Sequence, residues 1–250
     1  MMSKLEDHIE QVKILFKLTG VNFESDFDMF IYLLNNNYPE LIKELINDGF
    51  DVNIKDEYGY TALMYVSENN NIESVKLLLA NGVDVNIQNK FGNSALMWAS
   101  ENDNTEVLKL LLANGTDVNI KTEYGSTALI WASENDNTEV LKLLLANGAD
   151  VNIQNKYGYN ALMWANKYNN IEIVKLLLAN GADVNIKDND GETALMWASY
   201  YGNNIESVKL LLANGADVNI KDEYGDTALM FANKYNNIEA VNVLKEHGAK

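Results

Sequence analysis

The feature that most constrains this chain is a period of thirty-three residues. Residues 127–153 read TALIWASENDNTEVLKLLLANGADVNI, and residues 94–120 read SALMWASENDNTEVLKLLLANGTDVNI. Only Ser94/Thr127, Met97/Ile130 and Thr116/Ala149 differ. A glycine recurs at Gly59, Gly92, Gly125, Gly158, Gly191 and Gly225, in steps of 33, 33, 33, 33 and 34. A second series, Gly82, Gly115, Gly148, Gly181 and Gly215, keeps the same spacing, with Gly49 one step upstream and Gly248 one step downstream. A unit this short cannot bury its own apolar face, so copies must stack and cover one another. The architecture that follows is a solenoid.

Each unit carries the same local signals. A Thr or Ser (Thr61, Ser94, Thr127, Thr193, Thr227; Asn160 once) precedes a short apolar segment such as ALMWAS. Its side-chain oxygen can accept from the first free backbone N–H groups, which predicts an N-cap and a short helix. A polar connection follows, and then IEIVKLLLAN, with Ile171, Val174, Leu177 and Leu178 at helical spacing. Asn-Gly closes this second helix, the glycine taking the left-handed conformation that a helix end requires. DVNIKDEYG then predicts an extended arm with a hairpin tip.

Helix, turn, helix and β-turn in one period, with TAL, LLLANGADVNI and DxxG at fixed offsets, resembles the ankyrin repeat. The resemblance runs from about residue 22 to the C-terminus and implies an all-α solenoid with β-hairpin tips, a stack of about seven units. The boundaries read 22–54 (N-cap), 55–87, 88–120, 121–153, 154–186, 187–220 and 221–250 (C-cap). Two departures from the family pattern stand out. T-P-L-H becomes T-A-L-M, where Ala keeps helix propensity and Met fills the space of the His ring. The interhelical Gly is replaced by Asn70, Asp103, Asp136, Asn169 and Asn236, the residue types that best tolerate a positive φ. Gly202 alone keeps it, in a unit one residue longer (YYGNNIE), and the insertion is expected to bulge in the interhelical loop.

The ends differ from the middle, as solenoid ends must. Residues 27–54 lose the TAL motif and place Pro39 at a tolerated first helical position, reading as an N-terminal cap. Residues 1–21 contain a further amphipathic helix, with Leu5, Ile9, Val12, Leu15 and Phe16 on one side, expected to pack on the cap. VNVLKEHGAK at the other end exchanges LLLANG for charged residues, as a solvated final helix would.

Composition excludes several functions. Net charge is −17 and every basic side chain is Lys; the chain has no Arg. Such a field repels phosphate, and the fork that reads guanine is missing, so nucleic acid is not an expected partner. No apolar run has membrane-spanning length and no secretory signal is visible, which points to a cytoplasmic protein without a membrane partner. Cysteine is absent. His8 and His247 lie at opposite ends of a stack and read as surface residues. KDNDGE, residues 187–192, looks like half a calcium loop, but Thr193 stands where an EF-hand needs Gly and Ser199 where it needs Glu. Asn114-Gly115-Thr116 is a formal glycosylation acceptor at a helix end. With no phosphate loop, catalytic triad or zinc pattern, the expectation is no enzyme, no metal and no cofactor.

What varies between units is the surface. Trp98, Trp131, Trp164 and Trp197, with Tyr65 and Phe231 at equivalent positions, predict an aromatic ladder along the first helices, read as repeat packing rather than as a ligand surface. In the ankyrin family partners are gripped by hairpin tips and first-helix ends that line a concave groove. Matched by position, that implies partner binding by the tip residues Tyr58, Tyr60, Phe91, Tyr124, Tyr157, Tyr159 and Tyr224 and by Tyr168, Tyr200, Tyr201 and Tyr235 at the first-helix ends. The bland alternative is that tip aromatics stack on adjacent fingers. Carboxylates interspersed among them (Glu57, Glu123, Asp190, Glu192, Glu223, Asp226) suit a protein or peptide with a basic surface.

The resemblance therefore implies a non-enzymatic, monomeric protein-interaction module. Its Asn/Lys-rich idiom is similar to ankyrin chains expanded in large DNA viruses, intracellular bacteria and protists, where they serve as host-directed proteins. A self-associating structural protein is one alternative. Another is a substrate of an asparaginyl hydroxylase, at the DVN residues Asn53, Asn86, Asn119, Asn152, Asn185 and Asn219.

Overall fold

The computed structural model describes residues 3–201 and 204–250, so the insertion expected at Gly202 lies outside the described residues. Among the described residues the chain forms fifteen helices and almost no strand. The first seven are α1 (Lys4–Leu18), α2 (Asp26–Asn35), α3 (Pro39–Asn47), α4 (Ala62–Glu68), α5 (Ile72–Ala80), α6 (Ala95–Glu101) and α7 (Thr105–Ala113). The remainder are α8 (Ala128–Glu134), α9 (Thr138–Ala146), α10 (Ala161–Lys167), α11 (Ile171–Ala179), α12 (Ala194–Tyr200), α13 (Ile205–Ala213), α14 (Ala228–Lys234) and α15 (Ile238–Glu246). They group into two compact units, Met1–Asp117 and Val118–Lys250.

Within each unit, first helices pack on first helices and second on second. In the N-terminal unit α2 meets α4, α4 meets α6 and α5 meets α7. In the C-terminal unit α8, α10, α12 and α14 form one row and α9, α11, α13 and α15 the other. Alanine at both ends of the ALMWA segment, as in Ala161 and Ala165, is fully covered and lets neighbouring first helices approach closely. Leu and Met between them fill the layer, and Leu144, Leu177 and Leu211 on the second helices are inaccessible to solvent. Each such leucine contributes about 2 kcal/mol of burial. The buried stripe of α11 is Ile173, Val174 and Leu177, while Ile171 and Leu178, assigned to it by spacing, are only half-buried. The buried face is turned toward Ile173 relative to the one that spacing alone describes.

Helix starts follow the sequence signals. Thr61, Thr127, Asn160 and Thr193 each accept from the backbone N–H three residues on, at 3.0–3.5 Å. Ser94 and Thr227 occupy the same position without a side-chain cap bond. At Thr61 and Thr193 the Met at the third helical position closes a reciprocal box, its sulfur accepting the cap N–H at 3.5 and 3.4 Å. The interhelical residues Asn70, Asp103, Asp136, Asn169 and Asn236 all have positive φ, between 54° and 60°, and Asn37 in the first helix pair does the same.

Two asparagine series tie neighbouring repeats within each compact unit. Asn152 accepts the Asp183 N–H at 2.8 Å and donates to the Gly181 carbonyl at 3.2 Å. Asn119 does the same toward Asp150 and Gly148, and Asn86 toward Asp117 and Gly115. The second series, unforeseen in the sequence, is made by some of the Asn residues that begin second helices: Asn71, Asn104 and Asn204. Asn104 donates to the carbonyls of Ser67 and Glu68 at 2.7 and 2.9 Å, and Asn204 donates to the Asn166 carbonyl at 2.8 Å. These amides satisfy carbonyls that the end of a short helix leaves open.

At the N-terminus, α1 packs on α3 through a face centred on Val12 and Phe16. Phe16 meets Phe23, Tyr32 and Tyr38 edge-on at 5.3–5.7 Å. Leu15, assigned to that face by spacing, points outward with Ile14 and Leu18. His8 is also not a simple surface residue: its Nδ1 lies 3.0 Å from an Asp48 carboxylate oxygen, and the Lys4 and His8 bonds hold the Asp48 carboxyl below its usual range.

Candidate functional site

Every finger tip is organised by one side chain three residues before the glycine. Asp188 Oδ1 accepts the backbone N–H groups of Asp190 and Glu192 at 3.0 and 2.8 Å, and Asn155 does the same for Tyr157 and Tyr159. This local turn holds the residue before the glycine outward and the residue after it inward against the first helices. Antiparallel pairing is confined, among the described residues, to isolated bridges at Lys55–Thr61 and Lys187–Thr193. Adjacent tips are joined by backbone bonds: Lys156 N–H to Tyr124 carbonyl, Asn189 to Tyr157, Glu223 to Asp190, and in the N-terminal unit Lys90 to Tyr58.

The tip aromatics divide accordingly. Tyr58, Phe91, Tyr124, Tyr157 and Tyr224 are exposed, and Tyr224 stands 82% open to solvent. Tyr124 and Tyr157 stack on each other at 6.4 Å while both rings stay exposed. Tyr60 and Tyr159 turn inward. Tyr60 lies 5.7 Å from the Trp98 ring and Tyr159 lies 4.9 Å from Trp197.

In the C-terminal unit the first-helix tyrosines merge with the tryptophan ladder. Trp164 and Trp197 pack edge-on at 6.0 Å; Tyr168 stacks on Trp164, and Tyr201 tilts over Trp197 at 5.9 Å. Tyr200 contacts Tyr201, Tyr235 and Phe231 at 4.3, 4.2 and 6.2 Å. Tyr168, Tyr201 and Tyr235 remain exposed despite these contacts. Here the tryptophans pack repeat on repeat, and the tyrosines laid against them are the rings left open to solvent.

Charge is placed along this face. The Lys167 ammonium sits 4.4 Å from the centre of the Trp164 ring, 5.4 Å from Tyr168 and 5.9 Å from Tyr201, distances at which a ring quadrupole attracts a cation. The Trp197 indole N–H donates to Asp188 at 3.2 Å, as the Tyr65 hydroxyl donates to Asp56 in the N-terminal unit. Burial and then Asp56 push the Tyr65 hydroxyl up to about 12. Burial also raises the Asp188 carboxyl, against the lowering effect of its three N–H donors. Glu192 is pushed up to about 6, first by burial and then by Asp188, Asp222 and Asp190. A pocket of about 310 Å³ opens here, floored by Trp197 and Phe231, walled by Tyr200, Tyr201 and Tyr235, and edged by Glu192, Asp222 and Asp226. The cation–ring contacts of Lys167 and the Trp197–Asp188 bond are not expected from the sequence, although an Asp or Asn nine residues before every ladder aromatic except Trp131 is a visible signal for the second.

Helix pairs repeated at one interval, Asn joints and turn-built tips define the comparison. A family model for ankyrin repeats, three copies long, matches residues 1–89, 29–122, 66–155, 96–188 and 162–250. The chain belongs to the ankyrin-repeat family. Ankyrin repeats are generally protein–protein interaction modules and typically non-enzymatic. No curated protein matches the chain. Among the described residues no helix of this ankyrin-repeat protein is long and apolar enough to cross a membrane.

Proposed function

We propose that this chain is a non-enzymatic binding protein of seven stacked units that docks a protein or peptide with a basic surface. It acts by occupancy, as a monomer in the cytoplasm, and its Asn/Lys-rich idiom fits a host-directed role. The contact residues are the tip aromatics and the tyrosines at the first-helix ends. The observation that carries the reading is the aromatic face of Trp164, Tyr168, Trp197, Tyr200, Tyr201 and Tyr235. It combines large rigid rings with open tyrosine edges and a border of carboxylates. Tyrosine is a residue that binding hot spots favour, because it covers much area at small rotamer cost.

The test is a pull-down that compares the wild type with a Tyr168→Ala/Tyr200→Ala/Tyr201→Ala/Tyr235→Ala variant, shown by circular dichroism to be folded. A partner held by the wild type and lost by the variant is the expected result. Recovery of the same proteins by both, or of the chain itself alone, would overturn the reading.

A further inference from the structure

We propose that the pocket among Trp197, Tyr200, Tyr201, Phe231 and Tyr235 is an anchor for one arginine side chain of the partner. The inference rests on the reading of this face as a protein-docking surface and specifies what enters it.

The first argument is composition by position. The residue after the tip glycine is Tyr60, Asn93, Ser126, Tyr159, Glu192 and Asp226 in successive units, so only the last two place a carboxylate there. At the end of the first helix the earlier units carry Glu68, Glu101, Glu134 and then Lys167, where this one carries Tyr200. This unit thus has a carboxylate at the base of the finger and an aromatic ring at the helix end. The result is a pocket with aromatic walls and an acidic edge.

The second argument is charge. Glu192, Asp222 and Asp226 edge the pocket against a single cation, Lys234, which lies 5.6 Å from the Tyr235 ring. Among the described residues none of these three carboxylates forms an ion pair with a lysine or histidine. Asp188 and Asp190 add to the negative field behind Glu192. Burial first, and then the neighbouring carboxylates, raise the Glu192 carboxyl, as expected for an acid half-withdrawn from water beside like charges.

The third argument is a likeness within the molecule. One unit upstream, Lys167 already lays a cation over Trp164, with Tyr168 and Tyr201 beside it. At the corresponding place of the next unit stands Tyr200, and the pocket opens there. A guanidinium suits the site better than an ammonium. It is flat enough to lie between ring faces, and its five donors reach several carboxylates at once. A quaternary ammonium would donate no hydrogen bond to the carboxylates at the edge.

The experiment uses the full-length, 15N-labelled protein and the indole resonance of Trp197, assigned with Trp197→Phe. The probes are acetylated, amidated peptides of sequence Gly-Ser-Xaa-Ser-Gly in which Xaa is arginine, citrulline, lysine or trimethyllysine. Saturable binding of the arginine peptide with a Kd of about 1 mM is expected. Citrulline, of the same shape without charge, should bind at least about tenfold more weakly, and lysine and trimethyllysine should also rank below arginine. Glu192→Gln and Asp226→Asn should each weaken the arginine peptide by about tenfold. Affinity should fall several-fold from about pH 7 to about pH 5 as Glu192 takes up a proton, arginine staying charged throughout. Equal binding of arginine and citrulline, a preference for trimethyllysine, or no response of Trp197 would overturn the anchor. A cellular partner that is lost by the tyrosine variant yet retained by Glu192→Gln/Asp226→Asn would sink the arginine pocket and leave the docking face standing. An arginine response without any tyrosine-dependent partner would do the reverse.

Discussion

At the scale of single residues, two glycines with the same backbone conformation should respond differently to a methyl group. Gly158 has φ +81°, and a Cβ there would lie 2.6 Å from the Asn189 nitrogen and the Asp188 Cα of the adjacent finger. Gly225 has φ +86° and nothing within 4 Å. Gly225→Ala should therefore cost only the left-handed strain, about 1 kcal/mol, whereas Gly158→Ala must also push two fingers apart and should cost at least about 2 kcal/mol more. Urea unfolding of the two variants checks this, and equal losses would contradict the finger contact. Glu192 yields a pH prediction. Its folded value, about 6, lies above its ordinary 4.5, so the folded state keeps the proton longer than the unfolded one. The stability this group contributes is full below about pH 4.5 and is lost as the pH rises through about 6. Glu192→Gln should accordingly stabilise the protein at neutral pH, by about 1 kcal/mol once solvent screening is allowed for, and gain nothing near pH 4. Thermal unfolding at the two pH values measures it.

At the scale of elements, the joints between helix pairs carry the argument. Asn152→Ala removes both the bond from Asp183 and the bond to Gly181, and should lower stability by about 1–2 kcal/mol in a denaturant titration. A smaller loss at Asn152 than at an exposed asparagine such as Asn147 would show that the joint is not a structural tie. These same residues show what could be read in advance. Thr61, Thr193, Asn70 and Asp136 were recognisable because each acts on its own neighbours, through a cap or a left-handed φ, and local geometry is written in local sequence. Leu15 and Ile171 were misplaced because their burial depends on how far a neighbouring helix reaches around them, which no single period records. Asn104 was read as mere connection because the carbonyls it serves lie 36 and 37 residues away. In the candidate site, the tyrosines could be chosen from their departure from the repeat. Their merger with Trp164 and Trp197, and the place of Lys167 among them, needed three-dimensional distances.

At the scale of the whole molecule, a net charge of −17 over 250 residues opposes compaction. Raising the salt from about 0.01 M to about 0.3 M shortens the screening length from about 30 Å to below 10 Å and should raise the melting temperature by several degrees. An unchanged or lower melting temperature would mean that the short lysine–glutamate pairs on α5, α7 and α9 outweigh the repulsion. The architecture itself was legible at this scale, because periodicity is a property of the entire string and survives the loss of any one motif. The asparagine joint has a further consequence. Asn86 and Asn119 make the same pair of bonds to the next unit, at the same chain distances, 29 and 31 residues on. A coupling that repeats so faithfully works like a standard thread on pipe. When nearly identical stretches of the coding DNA misalign in replication, the product gains or loses one complete segment, and its cut ends still screw together. Length in such a protein is therefore free to drift by whole segments, while the faces at which partners bind are left for point mutation to shape.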